Sequence, residues 1–514
     1  MSLIAENYKI SPPDSMAITD GQNCMSWREL DDTLNRASNQ LLAEGLSQNE
    51  RIAVFAHNAV ETAVTYLTGL HTGVSSVPIN FHLTVPELVY ILQQSQSKVL
   101  FVGPETVAVG LEAARKAGVL HVIGWRCTEH PDLEPWAHWL TRASVGEPPI
   151  SMQPRPYLHY TSGTTGVPKA VETPPNMFPR VRNIKDLFSI FRDAVSTEGC
   201  GPALVVGPLY HTGPLTSIRK LAGGDPLVIL PRFDAQAVLS NIETWRVKST
   251  VMVPTHFQRI MDLPPEVRER YDLSSLKSII HTGAACSPKI KRGMISLFGP
   301  ILTEAYGGTE AGTTNIITSE EWLERPGSVG RTILPFEVKV IDDDGTELGP
   351  NQVGRLYFKD QDGRGVIYHN DAEKTAAAHI APGTFTLGDM GYVDDDGYVF
   401  ITDRSADMIV SGGVNIYPAE IENILIEHPD VFDIAVIGVP NVEMGEEVKA
   451  LIVPQPGHVP QPQILSAFCR ERLASYKCPK SFEVVSNIGR NAMGKINKRA
   501  LRRPYWPTER TIGG

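Results

Sequence analysis

Two glycines, four hydroxyl side chains and a lysine crowd into residues 161–169 of the segment YTSGTTGVPKAV (160–171). That mixture cannot pack a core. It suits the wrapping of a polyphosphate: glycine backbone lets N–H groups converge on an anion, hydroxyls donate to its oxygens, and Lys169 supplies a compact positive charge. The residues just ahead, RPYLHY, read as a buried strand that anchors the loop. Two known phosphate loops fail here on spacing. Walker A needs four residues between its glycines and a hydroxyl after the lysine, whereas Gly163 and Gly166 are three apart and Ala170 follows Lys169. A kinase glycine loop fails because neither G-x-G-x-x-G nor H-R-D is present.

Further stretches with chemical potential follow in order: GPLYHTGP (207–214), TEAYGGTEAG (303–312), TLGDMGYVDDDGYVFITDR (386–404), SGGVNIYPAEIE (411–422) and NAMGKINKRAL (491–501). The ordered series resembles the adenylate-forming superfamily of acyl-CoA synthetases, adenylation domains and luciferases, and is most like an acyl-CoA synthetase. The resemblance implies that a carboxylate attacks the α-phosphate of ATP, pyrophosphate leaves, and a thiol then displaces AMP from the acyl-adenylate. Implied co-substrates and cofactors are ATP, Mg2+ and coenzyme A.

On that resemblance, Thr161, Ser162, Gly163, Thr164, Thr165 and Gly166, with Lys169, hold the β- and γ-phosphates. Glu310 is the implied magnesium ligand, since a hard divalent cation prefers carboxylate and phosphate oxygens. Thr309 would donate to the α-phosphate and Tyr306 would offer its ring to adenine. Gly283, Ala284 and Ala285 of TGAAC (282–286) let the base approach, and Glu304, Ala305 and Gly307 complete the nucleotide pocket. Asp389 accepts from the ribose hydroxyls, and Arg404 adds donors to sugar or phosphate. Lys495 matches the lysine that a small domain swings in for adenylation, where its ammonium meets the charge developing on the carboxylate and α-phosphate. His211 is implied where acyl group and thiol meet, without a proton-transfer role. Lys495, Lys169, His211 and Glu310 form the implied catalytic set. His211, Gly307, Gly308 and Ile333 line the implied acyl pocket, together with VPTHFQRI (253–260) and VGRTIL (329–334). Ser411, Gly412 and Gly413 match the loop presented to the thiol arm, and Ala406 falls at the hinge. Taken singly, plainer readings exist: Gly412-Gly413 as a turn, His211 as a packed residue, and Asp389 with Arg404 as a surface ion pair.

Four features depart from the family pattern. Ala406 stands where relatives usually carry Asp or Lys, which is expected to alter the balance between adenylation and thioester poses. PGTFTLGD lacks the usual tryptophan and has Leu387 where threonine precedes Gly-Asp. Ala170 replaces a glycine after Lys169. VETPPNM (171–177) puts prolines where a helix commonly starts, which predicts a differently shaped acyl side.

The elements that must carry these residues alternate. WRELDDTLNRASNQLLAEGLS (27–47) has helical spacing running out at Gly45, RIAVFA (51–56) reads as a strand, and VETAVTYLTGLHTG (60–73) as a helix. Strand-like ALVVGPLYH, PLVILP, STVMVPT, SIIHTGA and ILTEAYGGTE continue the pattern. This predicts an α/β fold: a large N-terminal α/β domain with mostly parallel layered sheets and a β-rich subdomain, then a small mobile α+β C-terminal domain. Asp-Gly turns from about residue 326 signal antiparallel hairpins. Expected boundaries are 1–403 (β-rich part about 326–403) and 404–514, with the hinge near 404–407 and a loose tail RRPYWPTERTIGG.

Composition narrows the rest. The 514 residues are 42% hydrophobic with net charge −11 and no basic block, which argues against a nucleic-acid partner. The start lacks a basic, apolar leader, and no apolar run is long enough to span a bilayer, so a cytoplasmic protein without an integral membrane segment is expected. Six scattered cysteines form no C-x-x-C pair. The implied partners are a carboxylic acid, ATP and CoA, and a homodimer is allowed. Fatty, aryl and alicyclic acids all remain open. So do two other activities: loading a carrier-protein thiol, and a catalytically inactive nucleotide binder, against which Lys169, Glu310, Asp389, Arg404 and Lys495 argue.

Overall fold

The computed structural model describes residues 12–46, 50–161, 168–173, 181–198, 201–404, 407–412, 414–491 and 494–506. The expected phosphate-loop residues 162–166, the proline stretch 174–177, Ala406 and Gly413 lie outside them.

Helix Trp27–Ala43 forms because Trp27, Leu30, Leu34, Ala37 and Leu41 share one face and are all buried. Ser26 and Glu29 close a capping box at its start, the Glu29 carboxylate accepting from the Ser26 N–H at 2.8 Å. Helix Val60–Thr72 is buried along its whole length and stops at Gly73 in the left-handed region (φ +70). A Cβ at Gly73 would lie 2.5 Å from the Gln153 carbonyl oxygen, so that turn needs glycine. These helices pack with a parallel sheet in the order Ser75–Pro78, Arg51–Phe55, Ser97–Val102, His121–Gly124, Glu134–Pro135.

The main sheet has two halves. On one side Met16–Thr19, Leu227–Ile229, Ala203–Val205, Ser249–Met252, Ser278–His281 and Leu302–Gly308 run parallel. On the other, Gly312–Thr318, Ser328–Thr332, Tyr398–Arg404, Thr384–Val393, Gly354–Asp360 and Phe336–Ile341 continue antiparallel. The change of sense falls at the turn after Leu302–Gly308. The α/β class and the β-rich region therefore stand as expected. The Asp-Gly hairpin does too: Asp394 accepts from the Tyr398 N–H at 2.8 Å, and Gly397 takes φ +84.

Residues after 407 build a separate sheet around the antiparallel pair Val431–Asn441 and Gly445–Pro454. Helices Pro418–Leu425 and Pro462–Arg470 bury Ile421, Leu425, Leu465 and Cys469 in one core with Val436 and Ile452.

Two expectations are corrected. ALVVGPLYH is strand only over Ala203–Val205, because the chain turns at Gly207-Pro208 and His211 caps a short helix Thr212–Leu215. The start of the tail is pinned rather than loose: Arg503–Tyr505 form a 3-10 turn, the Tyr505 hydroxyl donates to Glu483 at 2.7 Å, and Trp506 Nε1 donates to the Gly438 carbonyl at 3.1 Å.

Candidate active site

The last parallel strand, Leu302–Gly308, delivers TEAYGG to the point where the sheet changes sense, and its register with Gly312–Thr318 shifts between Tyr306 and Gly307. A Cβ at Gly307 would sit 2.0 Å from the Gly312 carbonyl oxygen, so this close backbone approach requires glycine. The Tyr306 hydroxyl donates to Asp389 Oδ2 at 2.5 Å. Asp389 is only 5% exposed and lies within strand Thr384–Val393, directly opposite Arg404 in the antiparallel register. Two motifs 83 residues apart thus meet as an aromatic ring beside a carboxylate, a combination suited to a base and its sugar.

Thr309 and Glu310 form the turn that follows, both half-buried. Among the described residues no cationic side chain pairs with Glu310, and a Cβ at Gly308 would lie 3.0 Å from its Oε2. An uncompensated carboxylate oxygen is the donor type a hard cation takes, so the residues present fit magnesium. Tyr368 stands near Glu310: burial, and then the Glu310 and Asp371 charges, push its phenol well above the ordinary range. Lys169 Nζ lies 4.9 Å over the Tyr368 ring. The strand Lys169–Thr173 is clamped from the same side, the His369 N–H donating to the Ala170 carbonyl at 2.8 Å and Val171 bridging to Tyr368. Residues 368–370 therefore aim Lys169. The sequence reading missed Tyr368, which sits in an aperiodic loop (GVIYHN) and is joined to its partner only by the fold.

Ala284 and Ala285 line a cavity of about 710 Å3, and Gly283 just before them takes φ +93. Both halves of the molecule line this cavity: His57, Phe81 and Arg259 from one, Arg490, Asn491 and Gly494 from the other. Glu304 behaves differently from the other predicted nucleotide residues: its carboxylate is buried and accepts from Lys291 Nζ at 2.5 Å, while it and Ala305 pair with Ile317 and Ile316 in the sheet.

Lys495 sits in a tight loop. Asn491 Oδ1 accepts from the Lys495 N–H at 2.9 Å, and the Asn491 N–H donates back to the Lys495 carbonyl at 3.0 Å. Arg490 braces this loop, gripping Asp433 through two bonds of 2.9 and 2.7 Å and donating to the Gly494 carbonyl at 2.8 Å. Gly494 packs on the N-terminal half, where a Cβ would come 2.8 Å from Thr255. Burial, with the Lys495 ammonium adding to it, lowers the His211 pKa to about 3, so His211 is neutral at physiological pH. The loop that carries Lys495 thus faces the large lobe at Thr255.

Ser411 ends strand Ile409–Ser411, and the Gly412 N–H donates to the Met444 carbonyl at 2.8 Å. Neither residue lines the cavity. Ile333 donates its N–H to the Thr314 carbonyl at 2.9 Å, one strand removed from Gly307 and Gly308.

Comparison with known proteins agrees with this geometry. Residues 6–365 match the family model of the AMP-binding enzyme, and residues 420–495 that of the AMP-binding enzyme C-terminal domain. A fatty acid–[acyl-carrier-protein] ligase, ScoC of Streptomyces coeruleorubidus, is 31% identical, covering 96% of this chain and 94% of that protein. A feruloyl-CoA synthase of Amycolatopsis sp. is 34% identical, covering 96% of each. Among solved structures, ATP-bound MatB from Rhodopseudomonas palustris superposes with a TM-score of 0.81 at 26% identity, covering 98% of each chain.

Proposed function

Because the chain belongs to the AMP-binding enzyme family, as an ATP-dependent, AMP-forming acid–thiol ligase, we propose that its site residues divide the reaction between two lobes, with coenzyme A as acceptor. The large lobe binds the nucleotide: Asp389 accepts from the ribose hydroxyls, Tyr306 flanks adenine, Thr309 donates to the α-phosphate, and Lys169 with the loop 161–166 neutralises the β- and γ-phosphates. Glu310 would hold Mg2+, which when bound offsets phosphate charge and polarises the phosphoryl group. Residues 404–514 act as a mobile small domain. In the pose described, Lys495 meets the acid's carboxylate and the α-phosphate, stabilising the charge that develops during attack. His211, neutral, lines the acyl path and moves no proton. Rotation about Ala406 then exchanges Lys495 for Ser411, Gly412 and Gly413, whose small side chains leave room for a pantetheine arm. ATP and CoA as co-substrates, and free cysteines at every described position, suit a cytoplasmic setting. No described helix is long and apolar enough to cross a membrane.

The observation that supports this reading is the cavity between the lobes, lined by Thr255 and Ala285 of the large lobe and by Arg490, Asn491 and Gly494 of the loop that carries Lys495. A second reading, transfer to a carrier-protein thiol, is favoured by the likeness to the acyl-carrier-protein ligase. Incubating the enzyme with ATP, Mg2+ and a panel of acids separates the two. Pyrophosphate release followed by acyl-CoA formation supports CoA as acceptor. Acylation of a pantetheinylated carrier protein with no acyl-CoA formed contradicts it.

A further inference from the structure

Behind the strand ends that frame the proposed nucleotide site lies a buried charged pair to which the reaction assigns no step. Lys291 is 1% exposed and Glu304 9%, and Lys291 Nζ donates to Glu304 Oε2 at 2.5 Å. Glu304 belongs to strand Leu302–Gly308 and Lys291 to helix Pro288–Phe298. Strand Ser278–His281 runs beside the first of these, with His281 directly opposite Glu304 in the parallel register. His281 Nε2 lies 3.6 Å from the same Glu304 oxygen, and neither of its ring nitrogens has a hydrogen-bond partner among the described residues. Burial lowers the His281 pKa to about 4, so the ring is neutral near pH 7 and the Lys291 ammonium balances the Glu304 charge.

The chain between His281 and that helix is the loop 282–287. At its start the Thr282 N–H donates to the Met252 carbonyl at 3.2 Å, and Gly283 takes φ +93. At its end Ser287 caps the helix, and the Lys291 N–H, one turn on, donates to the Ser287 carbonyl at 3.0 Å. Glu304 therefore meets the residue just before the loop and the residue one turn after it, while its own strand runs on into Ala305 and Tyr306. Ala284, Ala285 and Ser287 line the cavity between the lobes. Trp322, 2% exposed, covers the pair, with Lys291 Nζ 4.6 Å over its ring. Taking an ammonium out of water is costly, and an apolar side chain would fill the same space against Met294, Ile279 and Leu302. What the ion pair adds is direction: the ammonium must meet one carboxylate oxygen, which admits one path for the chain between them.

We propose that Lys291 and Glu304 are positioning residues for the nucleotide base: their ion pair sets the path of the loop 282–287, and with it the place where Gly283, Ala284 and Ala285 meet adenine. This rests on the reading that the loop lines the base. Neither charge touches the nucleotide. Both act through the loop, so affinity for the base depends on them, while the phosphate contacts and the chemical step do not.

The test is the double variant Lys291→Met/Glu304→Gln of the full chain, which removes both charges and keeps the volumes close. No lone charge is left buried, so it should fold, and urea denaturation checks this. Calorimetric titrations with ATP and with inorganic tripolyphosphate then separate base binding from phosphate binding. ATP should bind roughly 10-fold more weakly, the worth of one hydrogen bond to the base, and tripolyphosphate as in wild type. In acid-dependent pyrophosphate release, KM for ATP should rise by the same factor with kcat near wild type. A mere loss of folded protein would instead lower kcat and leave KM alone. Should the double variant not fold, Lys291→Gln, whose amide N–H can still meet Glu304, is measured in its place with the same expectation. Wild-type affinity for ATP, or an equal loss for ATP and tripolyphosphate, overturns the proposal. Ala284→Leu tests the reading beneath it, since a larger side chain there should obstruct the base and spare tripolyphosphate. If Ala284→Leu binds ATP as wild type does, that reading falls and the proposal with it; if Ala284→Leu alone weakens ATP, only the proposal falls.

Discussion

Asp389 carries a sharp consequence of its position. Its carboxylate takes a hydrogen bond from Tyr306 and lies almost wholly out of solvent, so losing it removes the proposed acceptor for the ribose and leaves the Tyr306 hydroxyl without that partner. Asp389→Ala should weaken ATP binding roughly 10- to 100-fold, the range for charged hydrogen bonds. Tyr306→Phe should cost less because the ring remains. Calorimetric titration with ATP reads both. His71 makes a prediction about pH. It is buried in helix Val60–Thr72, its Nδ1 lies 3.0 Å from the Ser38 hydroxyl, its Nε2 has no partner among the described residues, and burial lowers its pKa to about 4. Below pH 6.5 the unfolded chain takes up a proton that the folded chain refuses. Stability present above that pH is therefore lost as the pH falls toward 4, by about 1.4 kcal/mol per pH unit. Urea denaturation at pH 7 and pH 5 should show wild type losing roughly 2 kcal/mol more than His71→Gln. An equal loss in both proteins removes His71 as the cause.

At the scale of elements, the Lys495 loop depends on a brace that is remote in the chain, since Arg490 and Asp433 stand 57 residues apart. Arg490→Ala should slow adenylation by roughly 10-fold, the worth of one or two charge-assisted bonds, while ATP affinity is unchanged. Single-turnover acyl-adenylate formation measures this, and a wild-type rate would show that the loop holds its own shape. The contrast between loop and brace shows what the sequence made legible. Tyr306, Glu310, Asp389 and Lys495 stand in contiguous motifs. The Asp394–Gly397 turn is written in local chemistry, because an aspartate bonding its own backbone and a left-handed glycine need only neighbours. Tyr368 under Lys169, Asp433 behind Arg490 and Lys291 on Glu304 carry no such mark, because each becomes meaningful only when strands or loops far apart in the chain are brought together. ALVVGPLYH was over-read for a related reason: its apolar residues remain buried past Val205, but in a turn that leads into a helix, and burial alone does not distinguish that from a strand.

Across the whole molecule, a hydrogen bond to Asp403 joins the lobes next to the proposed hinge, beside an ion-pair cluster within the small lobe. Lys498 is 8% exposed and pairs with Glu422 at 2.8 Å. Burial works against its charge, but Glu422, Asp403 and Asp407 outweigh it and raise the pKa. Arg502 pairs with Asp407 at 3.1 Å, and Asp403 accepts from the Ala419 N–H at 2.9 Å. Asp403 belongs to strand Tyr398–Arg404 of the large sheet and Ala419 to helix Pro418–Leu425, so this bond ties the small lobe to the large sheet in the pose described. The central claim is that the lysine of the second lobe neutralises the reacting centre only during adenylation. Acid-dependent ATP–pyrophosphate exchange in Lys495→Ala, set beside thioester formation from supplied acyl-adenylate, tests it most directly. The account predicts exchange lowered by roughly 100- to 1,000-fold with thioester formation near wild type. Exchange at the wild-type rate, or both half-reactions lowered equally, would contradict it.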